Sequence, residues 1–433
     1  MSYASRRQAF MDKMQGGVAI FHSAPEFLRS GGHNIEISYR QDSDFYYLTG
    51  FTEPETICVL APEHPEHHFI LFVRPRDPQM EVWTGKRAGV EGAQATYGAD
   101  AAYTLDQLAE KLPEYLKGCQ TLYYNSGTEH AFDEQMIAFI NRFRRAMSGG
   151  PRQVVDPGSI LNEMRVVKDA EELEVMRKAA QISGAAYRDV LKTLKPGMYE
   201  YEIQAVLDHG YLKQGAARHG YSPIVGSGPN ATILHYDQNN RHMQDGELLL
   251  IDSAAEYQYY SADITRTYPI NGRFTPEQRA IYEIVLEAEE ACIAATKPGA
   301  DLADIHNTAI EILTSGLVAL GILKGDVQQN IEEKTYRQFY MHGTCHWLGL
   351  DVHDRGPYRV TEKGRGAKLA PGMVFTIEPG IYIAEDAENV DPRYRGIGVR
   401  IEDNVVVTQE GCEVTTGSAP KSIEEIEALM NGR

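Results

Sequence analysis

Glu247–Ile270 reads ELLLIDSAAEYQYYSADITRTYPI and carries two aspartates, Asp252 and Asp263, each inside a strand-like run. A continuous apolar run precedes Asp252, and β-branched residues alternate around Asp263. A hairpin that turns at 257–258 sets the two aspartates directly opposite each other, with Cβ atoms about 5 Å apart. Like charges so close need a proton, a lysine or a cation. The alternative is two solvated acids on an edge hairpin, but the apolar run before Asp252 favours a divalent metal site.

Composition bounds the class of protein. A chain of 433 residues is expected to form two or three domains. The net charge of −19 argues against a nucleic-acid binder and against a partner of anionic membrane surfaces. We see no apolar run near the ~18 residues of a membrane span, and no signal peptide. The five scattered cysteines favour reduced thiols in the cytoplasm.

Residues 1–160 are predicted to form an α/β domain, because strand and helix patterns interleave. We find no metal or nucleophile constellation in this part of the sequence. Trp83 lies among polar residues and is predicted to be a partly covered surface aromatic, with an interface or substrate role as the alternative. The predicted elements are a helix at Arg6–Met14, strands at Gly17–Phe21, Phe45–Thr49, Thr56–Ala61 and His68–Val73, and helices near Leu105–Leu116 and Glu134–Ala146.

Residues 161–433 are predicted to form a second domain after a Pro/Gly-rich boundary at 149–158. Helices are predicted to start at Asp169 and at Thr275, each with a capping-box pattern. Both end at a Lys-Pro-Gly tripeptide and are followed by further helical segments, Tyr199–Gln214 and Leu302–Leu323. In each half a glycine lies six positions before an acid, Asp252 or Glu378. The echo indicates two diverged halves whose acids meet in one cleft.

Three further segments carry residues of the kind that bind metals: 342–353 with three histidines, 373–380 with Glu378, and 396–407 with Glu402. The histidine segment can be helix, loop or strand, and it is not an HExxH motif. Period-2 alternation places Glu402 in mid-strand, on the same face as Arg400. A buried carboxylate so placed either pairs with that arginine or binds metal.

Four carboxylates and one imidazole suit two divalent metals a few ångströms apart. Oxygen-dominated ligation with one nitrogen favours manganese, with cobalt, zinc or iron as alternatives. Cys345, beside His346, is predicted to pack rather than to bind metal. The reaction class that this site predicts is metal-assisted hydrolysis.

The ligand-bearing segments resemble those of the pita-bread metallopeptidases. The resemblance rests on Asp252 and Asp263 in this spacing, His346 in MHGTCHWLGLDVHD, Glu378 in TIEPGIY and Glu402 in GIGVRIED. It extends over nearly the whole chain, including RQDSDFYYLTGF at 40–51, and is greatest to the bacterial aminopeptidase P group. The implied fold is α/β (α+β), with a creatinase-like N-terminal α/β domain and a pita-bread catalytic domain of two pseudo-two-fold halves.

The resemblance also implies roles for residues. Two divalent ions, commonly manganese, would be bridged by Asp263 and Glu402 and by a hydroxide. The implied function is release of the residue before proline from peptides that begin Xaa-Pro. The remaining roles that the resemblance implies are Asp252 on one ion, His346 and Glu378 on the other, Glu378 as proton shuttle, His342 and His353 at the tetrahedral intermediate and departing nitrogen, and His235, Val352, Tyr382 and Arg400 along the substrate cleft.

Two other functions are alternatives. A prolidase, which cleaves only Xaa-Pro dipeptides, has similar length, ligands and fold. A non-catalytic member of the fold that binds proteins is disfavoured, because such proteins lose metal ligands. The resemblance implies a homodimer or homotetramer, and the segment Arg29–Arg40 (RSGGHNIEISYR) departs from the family pattern.

Overall fold

The computed structural model describes residues 2–27, 38–146, 149–358 and 368–432. The chain divides into two compact units, Met1–Met164 and Arg165–Arg433. Each unit encloses its own hydrophobic core. We retain 1–160 and 161–433 as the proposed domains.

The first unit is built on one mixed sheet. Its strand order is β4-β3-β2-β1-β5-β6, with β1–β2 and β2–β3 antiparallel and the other pairs parallel. Interleaved strands and helices therefore form the predicted α/β layers. The elements, as far as the helix that leads into the second unit, are α1 Tyr3–Lys13, β1 Val18–His22, α2 Ser43–Thr49, β2 Ile57–Leu60, β3 Phe69–Val73, α3 Pro78–Thr84, α4 Gly89–Ala95, β4 Ala101–Thr104, α5 Leu108–Leu116, β5 Thr121–Tyr123, α6 His130–Ala146, β6 Gln153–Val155 and α7 Gly158–Val166.

One predicted strand of this unit is a helix. Phe45–Thr49 lies in α2, so the prediction from its aromatic and β-branched composition was wrong. Asp42 caps the helix, because its side chain accepts a hydrogen bond from the Phe45 N–H at 2.8 Å. Gly50, at φ +66°, ends the helix in the left-handed conformation. The residues between the caps favour strands by composition, but strand propensity depends strongly on context, and the caps at both ends outweigh it here.

Trp83 is 81% exposed, which is more than the partly covered surface aromatic that we predicted. It lies near the end of α3, a helix whose described residues include no buried one. Of the atypical segment 29–40, residues 29–37 lie outside the described residues.

The second unit combines helices with small antiparallel sheets. The strand orders are β11-β10-β7, β12-β9-β8, β13-β16-β17 and β14-β15. Its remaining elements are α8 Ala170–Thr193, α9 Glu200–Leu212, β7 Arg218–His219, β8 Ile224–Ser227, β9 Leu248–Asp252, β10 Ala255–Tyr257, β11 Tyr260–Ser261, β12 Thr265–Pro269, α10 Pro276–Ala295, α11 Leu302–Ala319, α12 Val327–Glu332, β13 Val374–Ile377, β14 Gly380–Tyr382, β15 Gly398–Arg400, β16 Asp403–Val407, β17 Cys412–Val414 and α13 Ile423–Asn431.

The two halves of this unit repeat one order of elements. The pair α8 and α9 is followed by the sheet of β8, β9 and β12, and the pair α10 and α11 by the sheet of β13, β16 and β17. Both predicted capping boxes are present, at Asp169 and at Thr275. Asp252 ends β9, and Glu378 directly follows β13.

The hairpin that carries the aspartates has a different register from the predicted one. Its turn is centred on Gln258 and Tyr259, both with positive φ, as a two-residue type I′ turn requires. The turn therefore lies one residue later than predicted, and Asp252 pairs with Thr265 rather than with Asp263. A shift of two residues in the partner keeps Asp263 on the same face, because side chains alternate with period 2.

Among the described helices, we find none that combines the length and the apolar character needed to cross a bilayer.

Candidate metal centre and catalytic cavity

The four acids of the predicted site lie at strand ends. Asp252 ends β9, Asp263 lies in the link before β12, and Glu378 follows β13. Glu402 lies between β15 and β16, so the predicted mid-strand position was wrong. The reason is that β15 pairs with β14 whereas β16 pairs with β13, so the chain passes from one sheet to another at this residue.

His346 lies among three of these acids. Its Nε2 is 3.3 Å from Asp263 Oδ2, 3.8 Å from Glu378 Oε1 and 3.9 Å from Glu402 Oε1. Asp263, His346 and Glu402 each offer a ligand atom within 4.8 Å of the others. The structure therefore gathers residues from three distant segments into one cluster.

Tyr221 joins the fourth acid to this cluster. Its hydroxyl lies 2.6 Å from Asp252 Oδ1 and 2.5 Å from Asp263 Oδ1. One hydroxyl hydrogen can be donated to only one of two ionised carboxylates. The second carboxylate therefore needs another donor or a cation, and for Asp252 the Arg400 guanidinium supplies one at 2.6 Å.

The orientation of His346 suits a metal ligand. Its Nδ1 lies 3.1 Å from the backbone oxygen of Trp347, to which it donates, and so Nε2 is the ring nitrogen that faces the acids. Histidine ligands in metal sites commonly donate their second ring N–H to a carbonyl in this way. The loop around His346 is held to β13 by a hydrogen bond from its N–H to Thr376 Oγ1 at 3.3 Å.

Burial, and repulsion within the cluster, oppose the ionisation of Glu402 and Glu378. Burial, and then the charges of Asp263 and Glu378, raise the pKa of Glu402 well above its ordinary value. Burial raises the pKa of Glu378 to about 7, although His346 and Arg400 lower it. Burial lowers the pKa of His346, but Asp263 and Glu378 outweigh it and raise the value to about 9.

These observations fit a divalent cation. A cation relieves the repulsion that raises the carboxyl pKa values, and the donor set of carboxylate oxygens with one imidazole nitrogen is one that manganese, zinc, cobalt or iron accepts. The residues that could hold it are Asp252, Asp263, His346, Glu378 and Glu402.

Arg400 does not form the simple ion pair with Glu402 that we weighed against a metal site. Its Nη2 donates to Asp252 Oδ2 at 2.6 Å, and its Nε donates to Thr265 Oγ1 at 3.1 Å. Thr265 in turn donates to Glu402 Oε2 at 2.7 Å. Arg400 therefore neutralises part of the charge at Asp252 and reaches Glu402 only through a hydroxyl.

A short hydrogen-bonded chain runs from Arg400 to His342. Arg400 Nη1 donates to the Tyr382 hydroxyl at 3.1 Å, and that hydroxyl lies 2.8 Å from His342 Nε2. His342 Nδ1 lies 2.8 Å from the backbone oxygen of Gly343 and donates to it. Burial, and then the charge of Arg400, lower the pKa of His342 to about 4, so this imidazole is neutral near neutral pH.

A cavity of about 600 Å³ opens over the cluster. The predicted residues His235, Val352 and His353 are in its wall. The His353 ring packs edge-on against His346, with ring centroids 4.4 Å apart. Tyr382 is buried and reaches the cavity through its contacts with His342 and Arg400.

Sequence reasoning missed several residues at this site. Tyr221 carries no motif and comes 31 positions before Asp252. Asn404 binds the backbone of Asp263, and Tyr358 lines the cavity. We find no signal in a single sequence that would have identified them. Cys345 also lines the cavity, and burial raises the pKa of its thiol well above the usual value.

The match to known proteins covers both units. Residues 174–409 match Metallopeptidase family M24, and residues 3–123 match the aminopeptidase P N-terminal domain. The chain belongs to metallopeptidase family M24. Membership of this family implies divalent metal ions, as the donor set does.

Individual relatives are similar over nearly their full length. An Xaa-Pro aminopeptidase from Escherichia coli (strain K12) is 43% identical, over 99% of this chain and 97% of its own. The structure of Pseudomonas aeruginosa aminopeptidase PepP is 45% identical, with a TM-score of 0.96 over 99% of this chain and 97% of its own. An Xaa-Pro dipeptidase from Homo sapiens is 35% identical, over 99% of this chain and 93% of its own. The predicted family and the grouping with aminopeptidase P are confirmed.

Proposed function

We propose that the protein is a metal-dependent Xaa-Pro aminopeptidase, which hydrolyses the bond before a proline in second position of a peptide. The observation that carries the proposal is the convergence of Asp263, His346, Glu378 and Glu402 beneath one open cavity. The identity to the Escherichia coli aminopeptidase, 43%, exceeds the 35% to the Homo sapiens dipeptidase, which favours this activity over that of a prolidase.

We infer two divalent ions per chain and favour manganese, because the donors are mainly oxygen. Asp263 and Glu402 would be shared by both ions, Asp252 would hold one, and His346 and Glu378 the other. Metal ions bound there would supply an activated water and polarise the scissile carbonyl.

The other roles fall to side chains of the cavity. Glu378 would accept the proton of the attacking water and pass it to the proline nitrogen. His342, neutral and held by Tyr382, and His353, whose ring packs against His346, would lie beside the tetrahedral intermediate and the departing nitrogen. Arg400 would hold Asp252 and Tyr382 in place.

Proline itself explains the need for such a site. An Xaa-Pro bond is a tertiary amide without an N–H, so a groove that reads backbone N–H groups cannot bind it. Val352 would contact the proline ring, with His235 and Tyr382 along the same cleft. Recognition by shape then replaces recognition by hydrogen bonds.

Peptide length provides the decisive test. The full chain, supplied with Mn²⁺, is expected to release the first residue from an Xaa-Pro-Yaa tripeptide, as measured by chromatography of the products. Hydrolysis of the Xaa-Pro dipeptide alone would identify a prolidase. Hydrolysis of neither peptide, together with the absence of bound divalent ions, would favour a protein-binding member of the fold.

We also infer a homodimer or homotetramer in the cytoplasm. The resemblance to the aminopeptidase P group supports the oligomer, and the scattered cysteines support a reducing compartment. Light scattering of the purified chain distinguishes a dimer from a tetramer, and a monomer would contradict the inference.

A further inference from the structure

Asn404 connects two segments that supply metal-ligand candidates. Its Nδ2 donates to the backbone oxygen of Asp263 at 2.6 Å, and its Oδ1 accepts from the backbone N–H of Asp263 at 2.9 Å. Asn404 lies in β16, two residues after Glu402. One side-chain amide therefore satisfies both backbone polar groups of Asp263 and ties it to the strand that follows Glu402.

Asn404 is itself held on its other side. It is 2% exposed. Its N–H donates to Thr416 Oγ1 at 2.9 Å, and Thr416 Oγ1 donates to Asp403 Oδ1 at 2.6 Å. Its backbone oxygen accepts from the Thr415 N–H at 2.9 Å. The side-chain amide that binds the Asp263 backbone is therefore held in a fixed position.

The backbone of Glu402 is held by a buried arginine. Arg266 is 0% exposed and contacts the backbone oxygen of Glu402, and also donates to that of Thr265 at 2.9 Å. Its Nη2 donates to Asp403 Oδ1 at 2.7 Å. The Glu402 N–H donates to the Thr265 oxygen at 3.0 Å.

Lys421 and Glu289 extend the ion pair between Arg266 and Asp403. Lys421 Nζ donates to Asp403 Oδ2 at 2.6 Å and to both carboxylate oxygens of Glu289 at 2.8 Å. Two cations and two carboxylates therefore pair behind Glu402, and Asp403 has charged partners at both of its oxygens. Buried groups paired in this way order the backbone that carries them.

We propose that Asn404 is a positioning residue for the metal centre, which sets the place of Asp263 relative to Glu402. The proposal rests on the proposed function, because it assumes that these two acids bind metal. The physical reason is that ligands held by a hydrogen-bonded surrounding bind metal without first having to be ordered. Asn404 acts only through Asp263, by hydrogen bonds to its backbone.

The proposal predicts a defect in metal affinity. Asn404→Ala is expected to weaken Mn²⁺ binding by about 10- to 100-fold, as measured by calorimetric titration of the metal-free full chain. Saturating Mn²⁺ is expected to restore turnover of an Xaa-Pro-Yaa peptide without a change in KM. A residue that only supports folding would lower the free energy of unfolding of the metal-free chain, as urea unfolding measures, and would leave the affinity of the folded chain for Mn²⁺ unchanged.

A matched control separates positioning from general stability. Asn330 is also a buried asparagine, and its Nδ2 donates to the backbone oxygens of Lys324 at 2.9 Å and Asp326 at 2.7 Å. Asn330→Ala therefore removes a similar amide elsewhere and is expected to leave the affinity for Mn²⁺ unchanged. If Asn404→Ala does not fold, Asn404→Ser is the second variant, because its hydroxyl cannot span both backbone groups of Asp263.

The outcomes are distinct. Weaker Mn²⁺ binding in the Asn404 variants alone, with rescue by metal, supports the proposal. Wild-type affinity in those variants overturns it, and so does an equal loss in Asn330→Ala. If the unaltered chain binds no divalent ion, the proposed function itself fails, and that result is visible before any variant is made.

Discussion

Glu402 is a buried carboxyl group whose ionisation depends on its neighbours. It is 1% exposed, and burial together with neighbouring carboxylates raises its pKa well above the ordinary value. A cation would relieve that repulsion, whereas a truncated side chain would remove one of the donors. Substitution of Glu402 is therefore the most direct test of whether this carboxylate binds metal.

Glu402→Ala is expected to abolish peptide hydrolysis and to lower the metal content while the fold persists. Metal analysis, activity and circular dichroism together check this outcome. Glu413→Ala is the matched control, because Glu413 is a half-exposed partner of Arg177 and such pairs contribute about 0–1 kcal/mol. Full activity of Glu402→Ala would contradict the metal assignment.

Asp354 supports the loop that carries His353. Lys168 donates to one carboxylate oxygen at 2.9 Å, and Arg165 contacts the other. Burial raises the pKa of Asp354, but the charges of Lys168 and Arg165 outweigh it and hold the pKa below its usual value. Asp354→Asn is expected to reduce the free energy of unfolding by about 3–5 kcal/mol at neutral pH. The reason is that Lys168 and Arg165 lose the buried carboxylate that they share, although Arg165 keeps its ion pair with Asp351.

The same substitution predicts a pH dependence. Because the folded pKa of Asp354 is depressed, its contribution is fully present above the unfolded value, about 3.9. It is lost as the pH falls through the folded pKa. Urea unfolding is expected to show a constant difference between the wild type and Asp354→Asn from about pH 7 to about pH 5, and a smaller one near pH 3. A difference that does not change with pH would contradict the ion-pair account. Glu174→Gln, at a 76% exposed side chain that pairs with Arg177, is the control.

At the scale of elements, caps and turns decide where the chain changes direction. Thr275 accepts from the Gln278 N–H at 3.2 Å, and Gln278 accepts from the Thr275 N–H at 3.0 Å, which is a complete capping box. The hairpin of the two aspartates takes its register from two turn residues with positive φ. Capping and turn residues therefore fix the ends of helices and strands more closely than the helix or strand propensity of the surrounding residues does.

Thr275→Ala is expected to lower the free energy of unfolding by about 0.5–2 kcal/mol, because it removes the N-cap of α10. Thr275→Ser keeps the accepting oxygen and is expected to retain most of the stability. Chemical denaturation of the three proteins measures the difference. Equal loss in both variants would assign the effect to the methyl group instead of the cap.

At the scale of the whole molecule, acids are in excess, with 61 Asp and Glu against 42 Lys and Arg. Several of these acids are gathered at one buried site, where they repel one another. A ligand that binds only the folded state stabilises it by mass action. Divalent metal is therefore expected to act on the stability of the fold as well as on activity.

Addition of Mn²⁺ at about 100 times its dissociation constant is expected to stabilise the folded chain by about 2.7 kcal/mol. Thermal unfolding with Mn²⁺ and with a chelator measures the shift. Glu402→Ala is expected to show a smaller shift, because one shared donor is gone. An equal shift in that variant would locate the stabilising ion elsewhere.

Much of this protein could be predicted from its sequence, because the relevant signals are local. Capping boxes at Asp169 and Thr275, alternating layers in the first unit and acids at the ends of apolar runs are all patterns of neighbouring residues. Two of the exceptions were local conflicts, whereas Glu402 was misplaced because the chain passes from one sheet to another there. Phe45–Thr49 is a helix because caps outweighed its strand-like composition, and the aspartate hairpin turns one residue later than its symmetry indicated.

The sequence by itself determined which residue types were available to bind metal, and in which segments they lay. Only the tertiary structure decided which of them meet. Tyr221 touches both aspartates, Arg400 pairs with Asp252 instead of Glu402, and Asn404 grips Asp263 across the site. These contacts join segments that are far apart in the chain. Residue spacing and periodicity describe only neighbouring residues, so they do not predict which side chains come into contact when two sheets pack together.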